Sequence, residues 1–323
     1  MEAEIERMKR FFLLCVTSVL LPCGALAQEG GRRAAGPSAE AGFQLAEPGG
    51  FRTREVFSRL ELPLGAAGDY VFRSAARFSR LSVSDAPSVP GELHRTGAEL
   101  SAENGGKSFK MNLESNSDRP FYGLDTINLD LTWTFTLSEH NGHALLGGLN
   151  YSTQRSFARY IPLPFVIYRY RSGDFFMLFP FMYAYRLSEK VSVSVRYFPV
   201  RNLKASLRYQ PGPGIYADLE AGGELDQFLL ARRPDKRERF YYQRYTAALK
   251  PSFRIFKDAR LTGALGYFFK GSYYSGKTYA DDSGKTAIGG APYFSLSLKY
   301  AFGPAAPVKS APPAKSTGPV IPL

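Results

Sequence analysis

The chain has 323 residues, a formal net charge of +12, 25 Phe, 20 Tyr, three His and only two Cys. Both cysteines, Cys15 and Cys23, fall within the first 27 residues, so the remainder has no disulfide, thiol nucleophile or thiolate metal site. Between residues 51 and 302 there is no run of 18 apolar residues and no sustained helical period, which excludes spanning helices.

In chain order, Met8-Lys9-Arg10 leads into an apolar run from Phe11 to Leu21, then Pro22 and the small-x-small site Ala25-Leu26-Ala27. This is the order of a secretory signal peptide cleaved after Ala27. The run is shorter than the about 20 apolar residues of a spanning helix. Three Glu ahead of Met8 are foreign to such a leader and point to translation starting at Met8. Pro22 before Cys23 argues against lipidation of that cysteine. Residues 1–27 carry Arg7, Lys9 and Arg10 against Glu2, Glu4 and Glu6, so the +12 belongs to the exported part. Residues 28–50, rich in Ala, Gly and Pro, read as a flexible lead-in; residues 303–323, with six Pro, read as a disordered, solvated tail.

Between them lie strand-like runs at 53–62, 69–83, 107–115, 124–138, 143–153, 160–170, 174–187, 189–198, 201–210, 214–225, 239–256, 259–271 and 291–302. Alternation is cleanest towards the C-terminus. Val191, Val193, Val195 and Tyr197 alternate with Ser192, Ser194 and Arg196, and Leu203, Ala205, Leu207 and Tyr209 with Lys204, Ser206 and Arg208. Phe294, Leu296, Leu298, Tyr300 and Phe302 alternate with Ser295, Ser297, Lys299 and Ala301. Side chains of a strand point to opposite faces with period two, so one face is apolar and the other polar or charged. A soluble antiparallel sheet packed on a core shows the same pattern. The leader, the missing cysteines, the many strands and the aromatic load favour lipid as the solvent of the apolar face.

An open sheet edge cannot sit in lipid, so a spanning sheet must close. The expected fold is all-β: an antiparallel transmembrane β-barrel over residues 51–302, with short periplasmic turns and longer outer loops. Tight turns at 187–190, 210–214 and 256–259 alternate with long polar stretches at 226–238 and 272–291, although 198–201 is short where a long loop is due. Thirteen runs conflict with the even strand number of single-chain bacterial barrels, so about 12 strands are expected within a range of 10–14, with one run misread in 143–170 or at 53–62. Tyr183, Tyr185, Tyr267 and Phe269 near strand ends suit interfacial girdles.

The stretch Phe294 to Phe302 resembles the aromatic-ended last strand by which bacterial outer-membrane barrels are recognised for assembly. Ile161-Pro-Leu-Pro164, Phe179-Pro180, Tyr197-Phe-Pro199-Val-Arg201-Asn, and Arg233-Pro-Asp235 followed by Tyr241-Tyr242 are similar to a family of outer-membrane barrels of unknown function. The resemblance covers roughly residues 120–302. It implies a barrel in the outer membrane that meets lipid, lipopolysaccharide and the barrel-assembly machinery, and it implies no known activity. This chain departs from the pattern by continuing 21 residues past Phe302.

Candidate chemistry is sparse. Gly271-Ser-Tyr-Tyr-Ser-Gly276-Lys277-Thr278 matches the phosphate-loop pattern, but the residues after Thr278 do not form the helix that pattern requires, so a plain loop and no nucleotide are expected. His140-Asn-Gly-His143 reads as a turn, and with His94 the only other His, no metal site is expected. Asp281-Asp282 with Asp130 or His143 is the nearest approach to a hydrolase set, and no cofactor is implied. Nucleic acid is a poor partner for an exported chain despite its charge.

The stronger signal is electrostatic. With the apolar set facing lipid, Arg196, Lys204, Arg208, Arg244, Lys250, Arg254, Lys270 and Lys299 face inward, against Asp218 and Glu220. An Arg or Lys facing lipid at mid-depth costs about 2–4 kcal/mol, which makes inward the cheap placement. A basic lumen attracts small anions. The basic run Arg232 to Arg239 is expected as a solvated outer loop able to meet anionic head groups. The expected function is a passive pore for small solutes with a mild anion preference. The alternative is a closed structural or surface-interaction barrel working through its loops, and less favoured still an outer-membrane hydrolase.

Overall fold

The computed structural model describes residues 36–47, 52–84, 89–155, 158–198, 202–281 and 284–302; the leader and the tail lie outside them. Seventeen strands follow in chain order: β1 Ser38–Ala46, β2 Arg52–Ala67, β3 Tyr70–Ser84, β4 Glu92–Glu103, β5 Lys107–Ser117, β6 Asn128–His140, β7 His143–Ser152, β8 Leu163–Ser172 and β9 Phe175–Phe179. Then come β10 Met182–Arg186, β11 Val191–Phe198, β12 Asn202–Gly212, β13 Ile215–Phe228, β14 Arg239–Phe256, β15 Ala259–Gly276, β16 Thr286–Ile288 and β17 Ala291–Ala301. Each strand from β1 to β15 pairs antiparallel with the next, β15 also pairs with β17, and β17 pairs with β1. The ring is therefore closed by sixteen strands, β1 to β15 and β17, while the three-residue β16 only extends the edge of β15.

Sixteen strands replace the expected twelve, and the reason is local. None of the thirteen predicted runs is lost, including those at 53–62 and in 143–170. Residues 38–46, assigned to the flexible lead-in, form β1; residues 92–103 form β4; and 174–187 splits into β9 and β10 around Pro180 and Phe181. The even count follows.

The connections sort by end. Gly68–Asp69, Asn104–Gly106, Asn141–Gly142, Gly173–Asp174, Leu187–Lys190, Pro213–Gly214 and Lys257–Asp258 are tight and lie at one end. β1 begins and β17 ends there, with the Phe302 amide donating to the Pro37 carbonyl at 2.7 Å. The stretches 118–127, 153–162, 229–238 and 277–290 are long and lie at the other end. Shorter connections also lie at this end: 47–51 between β1 and β2, 85–91 between β3 and β4, Pro180–Phe181 between β9 and β10, and 199–201 between β11 and β12.

Directly opposed residues share a face, so the ladder sorts the side chains. Leu203, Leu207, Leu219, Leu249, Leu298 and Tyr300 are all exposed on the outward face. The inward face carries Lys204, Arg208, Asp218, Glu220, Glu224, Arg244 and Lys250. An apolar surface turned out and a charged one turned in is the inverse of a soluble sandwich.

At the long-loop end the ring narrows. The last described pair of β12 with β13 is Asn202 opposite Glu224, and pairing of β5 with β6 ends at Glu114 opposite Asn128. Beyond Phe228 the Leu229 amide donates to the Asn116 carbonyl of β5 at 2.7 Å, and the Ala231 amide to the Asp118 carboxylate at 2.7 Å. The end of β13 thus takes the place beside β5 that β6 holds lower down. Inside this narrowed ring, Leu81 and Leu93 pack with Phe228, Phe240, Tyr242, Tyr273 and Ile288, all buried. Full burial of an aromatic of this size contributes about 1.5–3 kcal/mol, so the cluster holds the folded-in strands against the opposite wall.

Candidate functional site

Below the apolar cluster the lumen holds a charged layer. Arg95 bonds to both Glu55 and Asp226, tying β2, β4 and β13 together across the interior. Arg244 donates to Glu224 at 2.8 and 3.0 Å and lies 3.4 Å from Asp226 and 3.8 Å from Glu55. Arg77 pairs with Glu114. A cavity of about 550 Å³ opens among these groups, lined by Arg59, Arg77, Arg95, Glu114, Asn128 and Asp226. Towards the tight-turn end, Lys204 and Lys250 share Glu220, with Lys204 at 2.8 Å. Arg208 makes a two-pronged bond to Asp218 at 2.7 and 2.9 Å, and its guanidinium lies 4.4 Å from the Tyr216 ring, whose other neighbour Arg260 lies 4.8 Å away.

Of the eight basic residues expected inward, the register places Arg196, Lys204, Arg208, Arg244, Lys250, Arg254 and Lys299 there. Lys270 is the exception. A bulge between Tyr245 and Thr246 pairs Lys270 with the outward Tyr245, whereas Phe268 pairs with the inward Thr246. One extra residue on β15 reverses the parity, and the Lys270 ammonium lies 5.7 Å from the outward Tyr245 ring. The lumen is also less basic than expected. Lys204, Arg208, Arg244 and Lys250 each meet a carboxylate, and Lys299 stands 3.8 Å from Glu61. Arg254 faces Arg260 directly and Arg196 faces Lys204, and among the described ion pairs none involves Arg171, Arg196 or Arg254. The residues missed by sequence reasoning are Glu55, Arg77, Arg95, Glu114, Glu224 and Asp226. Glu55 and Glu61 share the parity of Arg59 in a recognised run and were legible; Arg95 lies in the unrecognised β4.

The run from Arg232 to Arg239 is not a plain solvated loop. Arg233 is buried and donates to the carbonyls of Leu230 at 2.7 Å and Asp125 at 2.6 Å, Lys236 pairs with the Asp125 carboxylate, and Arg239 donates to the Arg155 carbonyl at 3.3 Å. Burial alone would raise the Asp125 carboxyl, but Lys236 and Arg233 outweigh it and hold it below the usual carboxylate range. The loop is a strap binding 229–238 to the 3-10 turn Leu124–Thr126.

The other candidates separate. Asp130 is inward, opposite Asn112 and Ser152, while His143 is outward with its Nδ1 2.5 Å from the Tyr168 hydroxyl, so the wall stands between them. Asp282 lies outside the described residues. Gly271 to Gly276 belong to β15 rather than to a loop, with Gly271 opposite Arg244, and no phosphate cradle forms. Phe294, Leu296, Leu298 and Tyr300 form the outward face of the last strand, and Phe302 follows it.

No family model and no curated protein matches this chain. Among solved structures it is similar to the KdgM porin, at 9% identity and TM-score 0.32 over 82% of this chain and 99% of that one. It is also similar to an outer membrane channel from Pseudomonas putida F1, at 9% and 0.36 over 85% and 98%, and to the translocator domain of the autotransporter NalP from Neisseria meningitidis, at 13% and 0.31 over 92% and 98%. The architecture stands on the strand ladder alone.

Proposed function

We propose that this chain is a passive outer-membrane channel for small solutes, shut at its long-loop mouth in the conformation described, with a preference for anions when open. The observation that carries the reading is the closed ring of sixteen strands, apolar outward and charged inward. A ring of that size is wider than side chains alone fill, and porins of 16–18 strands leave an aqueous channel. Export behind a leader cleaved after Ala27, and recognition of the strand Phe294 to Phe302 by the barrel-assembly machinery, belong to the same reading. Arg171, Arg196 and Arg254 support the anion preference, because they place positive charge on the inward face with no described carboxylate partner.

In planar bilayers the wild-type chain is expected to give small, infrequent conductance steps. A variant with 229–238 shortened should give larger, anion-preferring ones. Silence from both, or cation preference in the open variant, overturns the proposal. The apolar cluster at the mouth favours a second reading, a permanently closed barrel acting through its outer loops. That reading predicts silence from both variants and loss of surface binding on shortening 229–238.

A further inference from the structure

The wall of the barrel is not of even height. Fourteen cross-strand pairs join β13 to β14, but only four join β9 to β10. Five residues at about 3.4 Å each, tilted by roughly 40°, rise about 13 Å, about half of the roughly 25 Å apolar band of a membrane barrel. The β9–β10 connection at the long-loop end therefore lies at bilayer depth if the chain spans a membrane. Its chemistry agrees: Phe179, Pro180 and Phe181 occupy it, with the Phe181 ring stacked 5.7 Å from Phe198 of β11. The long connections at that end carry Arg, Lys and Asp instead. Above this sill, β8 loses its partner, since its last pair with β9 is Tyr168 opposite Phe179.

The inward face changes at the same place. Alternation puts Phe165 and Ile167 of β8, Phe176 and Leu178 of β9, and Met182 of β10 towards the lumen. Phe165 packs closely against Gly148, where a Cβ would come within 2.3 Å of the ring. Apolar side chains thus run from the interior, over the Phe181 sill, to the outward face. Arg169, Arg171 and Arg196 stand directly opposite Leu178, Phe176 and Met182 on the inward face.

We propose that this notch is a lateral portal between lumen and bilayer for an anionic amphiphile with a hydrocarbon chain. The carboxylate or comparable head group meets Arg171 and Arg196, and the chain lies across Leu178 and Phe165 towards lipid. The portal rests on the membrane-channel reading and names a substrate class and an exit for it.

The test uses the full chain in lipid nanodiscs and dansyl-aminoundecanoate as the probe. Saturable binding above partition into empty nanodiscs is expected, falling at least tenfold in Leu178→Asp. Arg196→Gln should weaken the carboxylate probe several-fold and leave its methyl ester unchanged. Equal binding by wild type and Leu178→Asp, or no saturable binding, overturns the portal, provided that heat-modifiable gel mobility shows the variant folded. Bimane on Phe181→Cys gives an arm independent of Leu178→Asp: brominated lipid should quench it, and quenching only by aqueous iodide overturns the proposal. Conductance without saturable binding removes the portal and leaves the channel; saturable binding without conductance does the reverse.

Discussion

The Leu229 amide donates to the Asn116 carbonyl at 2.7 Å, joining the end of β13 to the end of β5 although seven strands separate them in the ring. At this level β13 keeps β14 and β5 keeps β4, but neither has a described pair on its other side, where its backbone groups need partners. Pairing them satisfies those groups and draws the tops of β13, β14 and β15 across the mouth. The aromatic cluster then fills a ring narrow enough for side chains to close.

Phe228 is the centre of that closure. It has no solvent exposure, packs against Phe240 at 6.4 Å between ring centroids, and lies 5.4 Å from the Arg95 guanidinium. Phe228→Ala should destabilise the barrel by about 3 kcal/mol, as large-to-small core changes do. Bilayer recordings of the variant should show more frequent opening than the wild type. Stability loss without any change in opening would separate the cluster from the gate.

What the sequence shows of this fold depends on how cleanly each strand divides its faces. β11, β12 and β17 were legible because Val, Leu and Phe on one face alternate with Ser, Lys and Arg on the other. β1 alternates too, but Ala39 and Ala41 make a weak apolar face within a Gly- and Pro-rich context. β4 presents His94, Thr96 and Ala98 outward, a face barely distinguishable from its polar one. β9 and β10 merged into one run because both their faces are apolar, which hides the turn at Pro180. The inward position of Arg244 follows from parity, whereas its ion pairs with Glu224 and Glu55 depend on which strands meet across the ring, which periodicity does not encode.

Asp125 gives a pH prediction with a definite sign. Its carboxyl is held below the ordinary 3.8 by Lys236 and Arg233 despite the opposing effect of burial. A carboxylate with a depressed folded-state pKa stabilises above its unfolded value, and that contribution disappears as pH falls through the folded one. Protection of the 229–238 amides, corrected for intrinsic exchange rate, should stay constant from pH 8 to 5 and fall only below about pH 4. Asp125→Asn should show reduced protection above about pH 5, by about 0.5–1 kcal/mol for a partly exposed ion pair, and the difference from wild type should close as the Asp125 carboxyl protonates.

Arg244 answers three carboxylates, Glu55, Glu224 and Asp226, and Arg95 alone cannot match them. Arg244→Leu should cost about 3 kcal/mol, because removing one partner of a buried pair strands the others. Adding Glu224→Leu to it should recover part of that loss in denaturant unfolding. In an open-mouth background, Arg244→Leu should also move ion preference towards cations.

Lys250 and Lys270 look equivalent in the sequence, and the bulge on β15 separates them. Lys250 is inward and shares Glu220 with Lys204; Lys270 is outward beside Tyr245. Lys270→Leu therefore touches no lumen ion pair and should stay within about 0.5 kcal/mol of wild type, with unchanged conductance. Lys250→Leu leaves Glu220 with one cation instead of two, and should lower anion preference in single-channel recordings while costing about 1–3 kcal/mol. If Lys270→Leu changed ion preference as much as Lys250→Leu, the parity reversal at the bulge would be wrong, and with it the outward placement of Phe269 and Lys270.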